Sequence, residues 1–368
     1  MDQYTGTRSV ASSHAFDVAA LDAYLARQLP GYAGPLTVEQ FKGGQSNPTY
    51  KLLTPQRAYV MRSKPGPAAK LLQSAHAVER EFRVMRALAG TGVPVAQMLL
   101  LCEDEAVIGR AFYIMEFMDG RVLWDQSLPG LSNSERAAIY DEMNRVIAAL
   151  HTVDVAGAGL LDYGRPGNYF DRQIGRWSKQ YVASITEPID EMDRLMAWLP
   201  AHMPASARDD TQVSVVHGDF RLDNLVFHKT EARVIAVLDW ELSTIGHPLA
   251  DFSYHCMAWH IPPGTFRGIG GLDHVALGIP SEAEYVRRYC DRVGDRFGAQ
   301  SARKLQPEAL AADWNFYLAY NLFRLASITQ GIAKRVVDGI ASSAQAKATG
   351  ASTRPLAEIA WTFAQKAR

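Results

Sequence analysis

The chain has 368 residues, 48% of them hydrophobic, and a formal net charge of −1. That length allows one large domain or two lobes with a sizeable core, and interspersed acidic and basic residues exclude the one-signed surface of a nucleic-acid or membrane-surface binder. Cys102, Cys256 and Cys290 stand far apart, which argues against a disulfide framework or a zinc site. The first fourteen residues hold no apolar core of a leader and no run has bilayer length, so a soluble, cytoplasmic protein is the default expectation.

Residues 1–14 are small and polar and read as a loose arm. From Phe16 to Leu29 the apolar positions Phe16, Leu21, Tyr24, Leu25 and Leu29 fall on one helical face, and Pro30-Gly31 ends it. The pattern then changes to short strands: 36–38 and 50–53 about a glycine turn, 58–62 after Pro55-Gln56, and two more at 95–102 and 111–117. Between them a helix over 75–89 carries the stripe Val78, Phe82, Met85 and Leu88. Past Glu116–Gly120 the chain is mainly helical, with capping boxes predicted at Ser132–Glu135 and Ser281–Glu284 and a long buried helix or helical pair over 312–340. Two short β-like runs, Val213–Val216 and Val234–Leu238, interrupt it. A strand-rich first third and a helical remainder predict two lobes with a ligand-binding cleft.

The second of these regions holds the informative motif. His217-Gly-Asp219 followed by Asn224 has the spacing H-x-D-x-x-x-x-N, that of a protein-kinase catalytic loop, where Asp takes the acceptor's hydroxyl proton and Asn holds a magnesium ion. Asp239 ends the next apolar run, where a kinase carries its second metal-binding carboxylate. Phosphoryl transfer needs one carboxylate at the acceptor and hard oxygen ligands for the octahedral cation. The competing reading makes Asp219 and Asn224 plain turn residues; an apolar run before the loop and Asp239 after it weigh against that.

With these residues in place, His217-Gly-Asp219-Phe-x-x-x-Asn224 and Leu238-Asp239-Trp-Glu241 resemble the aminoglycoside phosphotransferase-like family, over roughly 35–340. Tyr59-Val-Met-Arg62, Lys64-Pro-Gly66, Lys70-Leu-Leu72, His76–Glu81 and Gln330-Gly331 are similar to its subgroup associated with acyl-CoA dehydrogenases. The resemblance implies an α+β, bilobal protein-kinase-like fold. Residues 1–34 would form an arm and helix, 35–117 a small nucleotide-binding lobe with an antiparallel sheet, and 118–368 a larger, mainly helical catalytic lobe. It implies ATP and Mg2+ as cofactors, Asp219 as the catalytic carboxylate with Arg221 on the transferring phosphoryl, and Asn224 and Asp239 as metal ligands.

The nucleotide would meet Gly43, Gly44, Ser46 and Asn47 of the glycine turn, Arg62 with its partner Glu81, and the connection Glu116–Met118. That turn is not G-x-G-x-x-G, and an ordinary hairpin is the competing reading. Arg62 stands where kinases commonly carry lysine; it keeps the charge and changes the geometry. Asp251 would brace the catalytic loop, Asp223 has no assigned part, and the loop 264–272 falls where this family places its acceptor. The expected activity is phosphorylation of a hydroxyl on a small molecule, a hydroxyacyl-CoA or related hydroxy acid by the subgroup resemblance. Aminoglycoside, choline- or homoserine-type acceptors and a non-catalytic nucleotide-binding pseudokinase stay open.

Overall fold

A computed structural model describes residues 6–42, 47–65, 77–165, 167–297, 307–341 and 345–367. It divides into two compact units, Met1–Val122 with Leu225–Ser243, and Leu123–Asn224 with Thr244–Arg368. Whereas the sequence places the end of the first lobe at 117, this unit runs on to Val122 and takes up 225–243. The reason is strand pairing: β7 (Arg121–Val122) pairs antiparallel with β9 (Leu225–Phe227), and β9 with β10 (Val234–Val237). Gly120 allows this, because a β-carbon there would lie 2.3 Å from the Phe227 carbonyl oxygen.

The first unit is built on a six-stranded antiparallel sheet of β1 (Thr7–Arg8), β2 (Thr37–Phe41), β3 (Thr49–Leu53), β4 (Ala58–Ser63), β6 (Phe112–Glu116) and β5 (Met98–Cys102), in that spatial order. Part of the expected loose arm is therefore strand, since Thr7 and Arg8 pair with Phe41 and Gln40. Side chains alternate across the sheet. Tyr59 and Met61 of β4 join Tyr50, Leu52, Phe112 and Ile114 in a core closed by Leu21 and Leu25 of α1 (Val18–Gln28) and by Leu29 just beyond it. Arg62 points to the other face, in register with Thr49 and Tyr113. There α2 (Val78–Leu88) buries the predicted stripe Val78, Phe82, Met85 and Leu88, with Glu81 beside it.

The second unit is helical apart from β8 (Ser214–Val216) paired with β11 (Thr244–Gly246). Helix α3 (Asn133–His151) opens with the expected capping box, Ser132 and Glu135 exchanging bonds with each other's amides. Ser281 and Glu284 make the same exchange at α8 (Glu282–Phe297). The long helix Pro307–Val337 packs on α4 (Tyr169–Ser184), α6 (Pro248–Cys256) and the helix Thr353–Lys366. Of these, α4 and Thr353–Lys366 were not among the expected elements, although each carries an apolar face at helical spacing, Phe170, Ile174, Trp177 and Tyr181 in the one and Leu356, Ala360 and Phe363 in the other. Among the described residues no helix is long and apolar enough to cross a membrane.

Candidate active site

In the first unit one guanidinium collects three carboxylates. Arg62 Nε lies 3.0 Å from Glu81 Oε2, and its Nη2 lies 2.9 Å from Asp239 Oδ1 and 3.1 Å from Glu241 Oε2. Strand β4 carries the cation and α2 the carboxylate packed on that face, so the predicted Arg62–Glu81 pair forms as the sheet and helix periods require. Asp239 follows β10 in the left-handed region, φ 64°. That region is open to a short polar side chain and costly for a branched one. Glu241, two residues on, completes the set, a part the motif does not assign to it.

These acids are buried to different degrees: the Glu81 side chain is 3% exposed, Glu241 18% and Asp239 34%. Burial alone would lower the Arg62 pKa, but Glu81, Asp239, Tyr113 and Glu241 outweigh it and hold the guanidinium charged, above its ordinary value. Burial raises the Glu81 carboxyl above the usual carboxylate range, and Arg62 works against that shift. Glu81 also accepts from Asn47 Nδ2 at 2.9 Å and from the Tyr113 hydroxyl at 3.2 Å. The Asn47 side chain thus serves Glu81. Lys64, two residues after Arg62, pairs with Glu79 at 3.0 Å. Gly43, Gly44 and Ser46 lie outside the described residues. Glu116 and Met118 are half-buried at the end of β6 and just beyond it.

The second unit holds the loop 217–224, fixed at each of its first three residues. Gly218 has φ +83°, a conformation that makes glycine the fitting residue between His217 and Asp219. Asp251 of α6, fully enclosed, accepts the amides of His217 at 2.7 Å and Gly218 at 2.8 Å, and contacts His151 Nε2 at 3.2 Å. Burial would raise its pKa; the bonds from His151 and from the His217 amide work against burial, and the pKa lies below its ordinary value. This is the bracing role that the family resemblance implies for Asp251. His217 is buried and its Nδ1 accepts the Asp219 amide at 3.2 Å, a structural contact of the loop.

The Asp219 carboxylate receives four contacts: Tyr254 O–H on Oδ1 at 2.6 Å, Arg221 Nε on Oδ1 at 3.0 Å, Arg221 Nη2 on Oδ2 at 3.0 Å, and Asn224 Nδ2 on Oδ2 at 3.1 Å. Asn224 also donates to the Asp219 carbonyl at 2.8 Å. Arg221, Asp219 and Asn224 are therefore brought together, as the motif predicts. Asp223 gains a partner as well: Arg267, in a turn where Phe266 and Arg267 both have positive φ, binds its Oδ2. Phe266 lies under the Arg221 guanidinium, 5.3 Å away, and Trp124 lies at the same distance under that of Arg267. The loop at 264–272 is thus tied to the loop 217–224 within this unit.

Among the described residues no set of three or more His, Cys, Asp or Glu forms a ready metal cage. Glu81, Asp239 and Glu241 face a guanidinium instead. The Asp239 carboxylate in the first unit and the Asn224 amide in the second are each oxygen donors of a kind magnesium takes, an ion that keeps several waters and needs few protein oxygens beside those of a phosphate.

Known proteins match this chain over most of its length. The profile of the phosphotransferase enzyme family (APH) matches residues 37–303. Mouse acyl-CoA dehydrogenase family member 10 is 46% identical over 363 residues; the match takes in 98% of this chain and 32% of the relative. The chain therefore spans about a third of that relative's length. A solved protein of Ralstonia eutropha JMP134, provisionally assigned as an aminoglycoside phosphotransferase, is 62% identical, with a TM-score of 0.85 over 96% of this chain and 100% of its own. The GDP complex of aminoglycoside 2'-phosphotransferase-IIIa shares the fold, with a TM-score of 0.58 at 15% identity over 94% of this chain and 99% of its own.

Proposed function

Since the chain belongs to the phosphotransferase enzyme family, we propose that it transfers the terminal phosphoryl group of ATP to a hydroxyl of a small molecule, and that the acceptor is a hydroxyacyl-CoA or related hydroxy acid. The observation that carries the reading is the Asp219 loop, held at three successive residues with Asn224 and Arg221 on the catalytic carboxylate. A general base must be held within hydrogen-bond reach of the proton it takes, and this bracing serves that end.

In this reading Asp219 orients the acceptor hydroxyl and accepts its proton. Arg221, ion-paired with Asp219 and hydrogen-bonded to it through Nη2, carries the charge that neutralises the phosphoryl oxygens as they move. Magnesium supplies charge neutralisation when bound; Asp239 offers it a carboxylate oxygen and Asn224 an amide oxygen. Arg62 meets the triphosphate and Glu81 keeps its guanidinium in place, with Asn47 steadying Glu81. Backbone groups of Glu116–Met118 meet the base.

The nucleotide donor is supported by the GDP complex of the neighbour, and the acyl-CoA acceptor by the dehydrogenase name of the longer relative. An ATP-consumption screen over hydroxyacyl-CoA thioesters, aminoglycosides and amino alcohols tests both. Turnover with the thioesters alone is the expected result; an aminoglycoside or amino alcohol as the preferred acceptor sets the acceptor assignment aside.

One observation favours a binding-only reading, namely that Arg62 stands in place of lysine and its guanidinium is shared among three carboxylates. Thermal-shift titration separates the two. Stabilisation by ATP should require magnesium in an active kinase, and stabilisation indifferent to magnesium would support binding alone.

A further inference from the structure

We infer that Tyr254 is a positioning residue of the phosphoryl transfer proposed above, pinning one oxygen of the Asp219 carboxylate while Arg324 holds Tyr254 and the loop in place. The inference rests on that reading of Asp219. Nothing in the motif marks Tyr254, which lies 35 residues from Asp219 in the chain.

Three contacts carry it. The Tyr254 hydroxyl donates to Asp219 Oδ1 at 2.6 Å, and the tyrosine is 4% exposed. It lies three residues after Asp251 on α6, hence on the same helix face, so one helix face holds the amides of His217 and Gly218 and the carboxylate of Asp219. Arg324, from the long helix, donates to the Gly218 carbonyl at 2.5 Å and lies 4.8 Å over the Tyr254 ring and 5.5 Å over Trp177. Its guanidinium therefore fixes both the loop and the ring that reaches the loop.

A carboxylate offers about four lone-pair directions; Tyr254, Arg221 Nη2 and Asn224 hydrogen-bond to it here, and Arg221 Nε stands at ion-pair distance. They differ in permanence. Arg221 is 19% exposed in its side chain and also approaches Asp223 at 3.5 Å, and Asn224 is the proposed metal ligand. Tyr254 is enclosed and gives its hydroxyl proton to Asp219. When an acceptor hydroxyl takes the place of an Arg221 contact, the Tyr254 bond remains and stops the carboxylate from turning about its own axis. Burial, and then the nearby Asp219 charge, raise the Tyr254 pKa above its ordinary value, so the phenol keeps the proton that it donates.

The test is steady-state turnover of MgATP with the hydroxyacyl-CoA panel. Tyr254→Phe removes one oxygen and keeps the ring under Arg324. It should lower kcat by about 10- to 100-fold, the scale on which misplacing a reacting group acts. KM for MgATP and the stabilisation by MgATP should stay within about twofold, since neither depends on how the base is oriented. Arg324→Met should fall in the same direction, and Arg324→Lys, which keeps a cation and a donor, should recover most of the loss.

Unchanged kcat in Tyr254→Phe would overturn the inference. A fall in kcat matched by lost MgATP stabilisation would overturn it too, because that pattern is general loosening of the fold. If Tyr254→Phe yields no folded protein, the Arg324 pair decides: equal loss in Lys and Met variants counts against positioning. Absence of turnover by the wild-type chain on the whole panel strikes the phosphotransferase reading itself, whereas normal wild-type turnover with an unaffected Tyr254→Phe strikes positioning alone.

Discussion

Replacing Arg62 with methionine removes the cation and keeps an unbranched side chain of similar length on β4. Glu81, 3% exposed in its side chain, then loses the 3.0 Å partner that offsets its desolvation. Breaking a buried pair in this way costs about 3–5 kcal/mol, a large share of the roughly 5–15 kcal/mol that keeps a folded protein folded. Asp239 and Glu241 add little to that figure, as both retain access to water.

The loss should depend on pH, with a definite sign. Burial already holds the Glu81 pKa above its ordinary value, and loss of Arg62 raises it further. Between the unfolded and folded pKa values the native state binds more protons than the unfolded state, so stability falls as pH rises through that window. Urea unfolding of Arg62→Met should therefore show the full loss near pH 7 and partial recovery on acidification toward the ordinary carboxylate range. Glu81→Leu added to Arg62→Met should recover much of the loss at neutral pH, because the uncompensated charge is gone. A loss below about 1 kcal/mol at pH 7, or one independent of pH, would contradict the claim that this pair is desolvated.

Other perturbations separate the roles of neighbouring residues. Gly218→Ala places a β-carbon at φ +83°; a cost of about 1–2 kcal/mol in denaturant unfolding and a marked loss of kcat are expected, and wild-type turnover would show that the loop tolerates the strain. Asp251→Ala strips the amides of His217 and Gly218 of their acceptor; unfolding should become easier by about 2–5 kcal/mol, with kcat reduced in the folded fraction. Ser132→Ala removes the α3 cap, which is far from any of these residues in the chain. It should cost about 1 kcal/mol and leave turnover unchanged, and so serves as the control for stability loss alone.

How much of this was readable before the structure depends on how local each signal is. The loop 217–224 was legible because its residues are contiguous and their spacing carries the chemistry. Arg62 and Glu81 were legible one step less directly: a strand period places one, a helix stripe the other, and together they meet. The role of Glu241 was not, although it stands two residues after Asp239, because a turn with positive φ, not a regular period, aims it at Arg62.

Tyr254, Arg324 and the Asp223–Arg267 pair were beyond reach for a different reason. Their partners lie 35, 106 and 44 residues away, and no pattern in the chain specifies pairings of that range. The only available hint for Tyr254 was its position three residues after Asp251, on one helix face. At the fold level, helices α1 and α2 were placed well, whereas the two-residue strand Thr7–Arg8 carries no alternation to read, and the 225–243 hairpin joins the first unit through pairing with Arg121–Val122.

The most direct test of the account is transfer of labelled phosphoryl from ATP to a hydroxyacyl-CoA by the wild-type chain and by Asp219→Ala, with MgATP binding measured on both. The account predicts a phosphorylated thioester from the wild type, none from Asp219→Ala, and similar MgATP binding by the two. Near-normal transfer by Asp219→Ala would contradict it, because the loop at 217–224 would then not be where the chemistry takes place.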